Sequence, residues 1–160
     1  MRISIEEAKK LFGDNPKISS QFVSPKKKSK YRNYKVYVYE NGFVSYQEKN
    51  PSLGTPIQIF DSIKEFDRWN ELLLMQKAKI ISNLDRQKDL IINESGMYQG
   101  KEVKKISYKA DFTYIRNGKQ VVEDVKPFDA KTQKYKTTKD FNLKWKMLKL
   151  KYPDYIFELF

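Results

Sequence analysis

Along the chain the spacing of apolar positions changes period several times, and each change marks an element. Ser4-Ile5-Glu6-Glu7 has the form of a capping box and opens a short helix that stops at Gly13. Asp14-Asn15-Pro16 is a turn. Alternating stretches at 34–39 and 43–48 flank Asn41-Gly42, the signal of a hairpin. Residues 51–56 read as a loop and 57–60 as a short strand. From Asp61 the period lengthens. Ile63, Phe66, Trp69, Leu73 and Ile80 fall on one arc of a helix running to about Ile81. Residues 84–92 read as a strand, with a turn at Asn93-Glu94-Ser95-Gly96. A strand over 101–115 follows, and Asn117-Gly118 joins it to the next. Thr137 or Thr138 can cap a last helix with Phe141, Trp145 and Leu148 on one side and Lys139, Lys146 and Lys149 around the rest. Pro153 ends it, and 155–160 reads as a terminal strand. No internal repeat is visible. The order predicts an α+β (mixed α/β) chain built on a single mixed sheet flanked by helices. Residues 1–56 form an extension of helix, basic arm and hairpin. Residues 57–160 form the core, in one compact unit.

The second Asn-Gly carries the chemistry. A two-residue turn at Asn117-Gly118 sets Arg116 against Lys119 and fixes the register. Counting back, Asp111 falls directly opposite Asp124, and Lys126 shares that face one pleat along. Like charges directly opposed destabilise a sheet, so a fold that keeps them needs a compensating cation. In Glu123-Asp124-Val125-Lys126, Val122, Asp124 and Lys126 share one face and Glu123 points to the other. Asp124, not Glu123, is therefore the expected ligand. Asp111 and Asp124 can hold a divalent ion with the Val125 carbonyl. Such an ion polarises a phosphate and lowers the pKa of a bound water, and Lys126 can stabilise hydroxide and the charge developing on phosphorus. The plainer reading is an exposed polar face with a Lys–Asp pair of small energetic value.

Composition narrows the ion and the partner. Of 160 residues, 32 are Lys or Arg and 20 Asp or Glu, a net charge of +12. That excess attracts a polyanion, most often nucleic acid; a soluble basic surface is the bland alternative. No cysteine or histidine is present. This excludes disulfides, Cys/His zinc sites, Ser-His-Asp triads and His general bases. Oxygen ligands alone favour Mg²⁺ or Mn²⁺. No apolar run is long enough to span a membrane and no signal peptide is evident, so a cytoplasmic location is expected.

Other candidates have two readings each. Glu65, in Ser62-Ile63-Lys64-Glu65, is a capping-box residue taken alone, yet it stands at the edge of the buried arc, from which a carboxylate could reach a sheet-borne metal. Gln87 can orient a water or a phosphate, or be a polar strand residue. Lys26, Lys27, Lys28, Lys30 and Arg32 form a basic arm. Lys131, Lys134, Lys136, Lys139 and Lys144 follow the Asp-x-Lys element, where they can neutralise phosphates or simply solvate a surface. Tyr31, Tyr34, Tyr37 and Tyr39 could stack on bases, although alternating aromatics in a strand more often pack.

Taken together, Phe60-Asp61-Ser62-Ile63-Lys64-Glu65, Asp85-Arg86-Gln87, Tyr108-Lys109-Ala110-Asp111-Phe112-Thr113-Tyr114 and Val121-Val122-Glu123-Asp124-Val125-Lys126 resemble a phage family, domain of unknown function 1064, of the PD-(D/E)xK nuclease superfamily. The same order is similar to phage endonucleases that resolve Holliday junctions. The resemblance covers roughly residues 57–160. It implies a restriction-endonuclease-like core, Glu65 as a third acidic member, and a greater role for Gln87. Two departures stand out: Ala110 replaces the Pro of the superfamily's name, and Pro127 stands where members usually carry Gly. The expectation is a Mg²⁺-dependent endodeoxyribonuclease acting in phage recombination or replication. Branched DNA is the substrate by analogy, which would suit a homodimer. The alternatives are a nucleic-acid-binding phage protein that keeps the fold without cleavage, and a protein directed at RNA.

Overall fold

The computed structural model describes residues 34–46 and 48–160. The helix expected at 4–13 and the basic arm of Lys26, Lys27, Lys28, Lys30, Tyr31 and Arg32 lie outside the described residues. The chain divides into two compact units, Met1–Phe66 and Asp67–Phe160.

In the first unit β1 (Val36–Val38) is the centre of an antiparallel sheet, between β2 (Val44–Tyr46) and β3 (Gln58–Phe60). Asn41-Gly42 does make a hairpin, but with a three-residue loop. Tyr39 N–H donates to the Phe43 carbonyl at 2.9 Å, leaving Glu40, Asn41 and Gly42 to turn, with Gly42 at φ 76°. Val36, Tyr37, Tyr39 and Phe60 are buried. The Tyr39 hydroxyl accepts the Asn50 N–H at 2.7 Å. Tyr37 and Tyr39 are therefore packing residues, not a stacking surface for bases.

The helix α1 (Ile63–Lys77) begins in this unit and continues into the next. It ends four residues short of the expected Ile81. Lys79 adopts φ 58°, its N–H reaches the Gln76 carbonyl, and the Ile80 N–H reaches the Met75 carbonyl, both at 2.9 Å. These are the two bonds of a Schellman stop, made here with Lys where Gly is usual. The buried arc also differs from expectation. Leu72 is fully buried, with Trp69 and Met75 packed beside it, whereas Leu73 and Ile80 are exposed.

The second unit is built on a four-stranded sheet in the order β11-β8-β7-β4. It comprises β4 (Ser82–Asn93), β7 (Ile106–Arg116), β8 (Lys119–Asp124) and β11 (Ile156–Leu159). Antiparallel pairs join β4 to β7 and β7 to β8; β11 lies parallel to β8, so the sheet is mixed. Among the described residues there are thus two principal sheets, not the single one expected. The expected strand over 101–115 is also divided. A small hairpin, β5 (Gly96–Tyr98) and β6 (Lys101–Val103), stands between β4 and β7. A second, β9 (Phe128–Asp129) with β10 (Lys134–Tyr135), follows β8. The helix α2 (Lys139–Lys151) is capped by Thr138, whose hydroxyl accepts the Phe141 N–H at 3.2 Å. It buries Phe141, Trp145 and Leu148 as expected.

Each face of this sheet has its own apolar cluster. One joins Leu90, Ile92, Ala110 and Val122 to Phe141, Trp145 and Leu148 of α2, with Tyr108 packed against it. The other joins Phe112, Tyr114, Val121 and Ile81 to Leu72 of α1. Two residues apart on a strand normally means one face. Ala110 and Phe112 break that rule, as do Leu84 and Leu90, which pack in different clusters. The inversion occurs at one place. The pairs Arg86–Phe112 and Lys88–Ala110 keep a common register, but Gln87 and Asp111 between them are not paired, and Gln87 takes φ 54°. Both strands exchange faces there without slipping.

Candidate active site

The turn at Asn117-Gly118 is as expected. Arg116 pairs with Lys119, and the register runs unbroken to Phe112 opposite Glu123. Positive φ at both turn residues, 53° at Asn117 and 73° at Gly118, is what a type I′ hairpin requires. The next position in that register would set Asp111 against Asp124. Here backbone pairing stops and the Asp111 side chain takes over: its Oδ2 accepts the Val125 N–H at 2.8 Å. Because β7 is exchanging faces at this residue, the carboxylate reaches across to β8 rather than standing on the pleat beside Asp124. Gln87 lies on the other side, with Nε2 3.5 Å from Asp111 Oδ1.

Asp124 is fully buried on the α2 face, and both its oxygens are engaged. The Tyr108 hydroxyl donates to Oδ1 and the Lys126 ammonium to Oδ2. Lys126 Nζ also lies 4.5 Å from the centroid of the Phe141 ring. The expected face-sharing of Asp124 and Lys126 holds. Burial pushes the Tyr108 phenol well above its ordinary range, and the charge and hydrogen bond of Asp124, then the charge of Asp111, push it further. Tyr108 therefore keeps its proton and acts as a donor. The strand edge beyond β8 is fixed by β11: Phe160 N–H donates to the Asp124 carbonyl and Lys126 N–H to the Phe160 carbonyl, each at 3.0 Å. In an extended chain this turns the Val125 N–H and carbonyl the opposite way, toward β7 and Asp111.

Glu123 points to the other face, as the pleat requires. Its carboxylate receives Arg68 Nε at 2.7 Å, Arg68 Nη2 at 2.8 Å and the Tyr114 hydroxyl at 2.8 Å. Burial, then the charge and hydrogen bond of Glu123, raise the Tyr114 phenol. Burial alone would lower Arg68; the hydrogen bond and charge of Glu123 outweigh it and raise the guanidinium instead.

Glu65 belongs to the first unit. It is buried, its N–H bonds to the Ser62 hydroxyl at 3.1 Å, and its Oε2 accepts the Asp61 N–H at 3.1 Å. The capping box thus forms, with the return bond going to Asp61 and not to Ser62. Lys131, Lys134, Lys136 and Lys139 are exposed and Lys144 half-buried. Lys136 pairs with Asp129 at 3.7 Å and Lys144 with Asp140 at 3.5 Å.

Asp111, Asp124 and the Val125 carbonyl are hard oxygen donors carried close together in the register of adjacent strands. Among the described residues no group of three or more acidic, His or Cys side chains is placed to hold a metal. Two carboxylates and a carbonyl still suit Mg²⁺, which commonly keeps several waters and takes one or two carboxylates from protein. Tyr108 and Arg68 are the partners of the Asp124 and Glu123 carboxylates that the sequence pattern did not announce.

A family model described as "Protein of unknown function (DUF1064)" matches residues 55–157. That span includes α1, the strands β4, β7 and β8, α2, and the first two residues of β11. Comparison with curated proteins and with solved structures returned no match. No helix among the described residues is long and apolar enough to cross a membrane.

Proposed function

The chain belongs to the DUF1064 family of proteins of unknown function, and from that premise we propose that it is a metal-dependent endodeoxyribonuclease with a restriction-endonuclease-like core. The observation that carries the proposal is the Asp111 carboxylate bonded to the backbone beside Asp124 at a break in the sheet, with Lys126 bonded to Asp124 itself. Asp111, Asp124 and the Val125 carbonyl would hold Mg²⁺ or Mn²⁺. A bound ion supplies Lewis acidity toward the phosphate and makes water a competent nucleophile. Tyr108 fixes the orientation of the Asp124 carboxylate, and the Val125 N–H does the same for Asp111. Lys126 supplies a positive charge beside the reacting phosphate, to be shared between Asp124 and the developing charge on phosphorus. Gln87 is placed to contact Asp111 and to position water or a phosphate oxygen beside it. DNA is the proposed partner, neutralised by the lysines after β8 and by the basic arm; branched DNA in phage recombination is the proposed setting, and a homodimer would supply two cutting sites.

Glu65 enters the set through the family likeness. Glu65→Gln is the informative substitution, since an amide still accepts the Asp61 N–H. Loss of cleavage in a normally folded variant would support the role that the family likeness implies.

A second reading has its own support. Lys126 and Tyr108 already satisfy both oxygens of Asp124, so the buried carboxylate is compensated within the protein. A nucleic-acid-binding protein that does not cut would need no more.

The deciding experiment incubates linear, flapped and four-way-junction DNA with the protein in Mg²⁺, Mn²⁺ or EDTA. The nuclease reading expects metal-dependent cutting that falls by roughly 10²-fold or more in Asp124→Asn and in Lys126→Ala, with binding retained. Binding by the wild-type protein without any cutting, in either metal, on every substrate, gives the answer to the second reading.

A further inference from the structure

The β5–β6 hairpin has no part in the site described above, yet it is the most exposed ordered feature of the second unit. Every residue from Asn93 to Ile106 is exposed. Met97 and Tyr98 show 71% and 65% of their surface to solvent, and Val103 and Ile106 are exposed as well. A two-stranded hairpin standing alone is marginal in water, and placing large apolar side chains at its tip adds a further cost unless a partner covers them.

Its pairing and residue types bear on what could cover it. Gln99-Gly100 makes the tip, with φ 47° and 76°. Tyr98 pairs directly with Lys101, and Gly96 with Val103. Tyr98, Lys101 and Val103 therefore share one face, and opposite Val103 there is only a glycine. That face is an aromatic ring set beside an ammonium group. Between Gly96 and Lys105, Lys101, Lys104 and Lys105 outnumber the one acid, Glu102. The hairpin also grows from the end of the sheet that carries the site. It continues the C-terminal end of β4 and the N-terminal end of β7, where Tyr108 touches Asp124.

We propose that β5–β6 is a wing that engages nucleic acid beside the site, with Tyr98 stacking on a base at a branch or an opened step and Lys101, Lys104 and Lys105 neutralising flanking phosphates. Aromatic stacking tolerates any base because every base has a π-face, and apolar wedges enter most easily where stacking is already interrupted. The wing thus favours branched over continuous duplex DNA. This deepens the nuclease reading by assigning it a DNA-contacting element, and rests on that reading only for the claim that the bound DNA is also cut.

Binding is measured by fluorescence anisotropy in an Asp124→Asn background with EDTA, so that cleavage plays no part. The probes are a four-way junction and a duplex of equal length, each carrying 2-aminopurine at the centre. The expected result is a preference for the junction, a loss of roughly tenfold in junction affinity for Tyr98→Ala, and a lower slope of log K against log salt, by about 2 to 3, for the Lys101→Ala/Lys104→Ala/Lys105→Ala variant. The 2-aminopurine signal at the branch should change on binding and lose that change in Tyr98→Ala. All these side chains are exposed, so melting temperatures should stay at the wild-type value. Unaltered junction affinity in both variants overturns the proposal, as does a wild-type protein that binds neither probe. A dimer by sedimentation that Tyr98→Ala dissociates, with DNA affinity unchanged, assigns the tip to a second copy instead. If the wing variants weaken binding but the wild type never cuts in Mg²⁺, the nuclease reading fails and the wing stands.

Discussion

Glu123 and Asp124 are adjacent carboxylates with opposite surroundings, because a strand sends neighbours to opposite faces. Asp124 meets a phenol and an ammonium group beside α2; Glu123 meets a guanidinium from α1 and the Tyr114 hydroxyl. Arg68 is further held by Glu71 at 2.9 Å and lies 4.1 Å over the Phe160 ring. The Arg68–Glu123 pair is almost wholly withdrawn from water, so its value lies in mutual compensation more than in net attraction. Removing one partner leaves a buried charge alone. Arg68→Met should cost about 3–5 kcal/mol by urea denaturation. Arg68→Met with Glu123→Leu should recover most of that loss, because neither charge is then stranded. Equal losses in the single and double variants would mean that packing of the guanidinium against Phe160 dominates. The same pair pins the strand that presents Asp124, so the double variant reports on the site as well. A fold that recovers while metal-dependent behaviour does not would make Arg68 a positioning residue for Asp124.

At the scale of elements, the sequence is most legible where a local signal and the tertiary structure agree. Thr138 caps α2, Asn117-Gly118 fixes the β7–β8 register, and Phe141, Trp145 and Leu148 face the sheet. It is least legible where a backbone leaves its period without a Gly or Pro to announce it. Lys79 stops α1 in a left-handed conformation, and Gln87 does the same to the alternation of β4. The second case decides the site. On an unbroken β7, Tyr108 and Ala110 would share the face of Phe112 and stand away from Asp124. The face exchange at Asp111 brings Tyr108 to Asp124 instead, which is why its role could not be read from the pleat. Glu65 was legible as a cap for the opposite reason, since Ser62 and Glu65 lie within one turn. Gln87 can then act through its amide or through its backbone, and two substitutions separate these. Gly accepts φ 54° without steric strain, whereas a β-branched residue resists it. Gln87→Gly should hold or raise the melting temperature and keep the Asp111 geometry. Gln87→Val should destabilise by about 1–3 kcal/mol. If Gln87→Gly retains cleavage while Gln87→Val loses it, the kink is what matters; if both lose it equally, the amide matters.

At the scale of the whole molecule, a net charge of +12 makes the acidic break in the sheet electrostatically distinctive. A strongly basic chain repels cations in general, so a divalent ion gains nothing from the average field. Any stabilisation by Mg²⁺ must therefore come from a particular cluster of oxygens. This turns thermal stability into a test of the metal that is independent of catalysis. An ion that binds only the folded state adds about 2.7 kcal/mol at a concentration 100 times its dissociation constant. For a chain of this length that is a rise of roughly 5–10 °C in melting temperature. Monovalent salt at matched ionic strength separates this from screening of like charges, which would stabilise the chain with any electrolyte. Asp111→Asn and Asp124→Asn should abolish the Mg²⁺-dependent increment, whatever they do to the starting temperature. Asp124→Asn also leaves Lys126 facing an amide, so its starting temperature should shift even without metal; the increment, not the absolute value, is the readout. Glu123→Gln should keep the full increment, because that carboxylate stands on the other face. A Mg²⁺ response that survives in both aspartate variants would place the ion elsewhere and remove the basis for assigning these two carboxylates to phosphodiester hydrolysis.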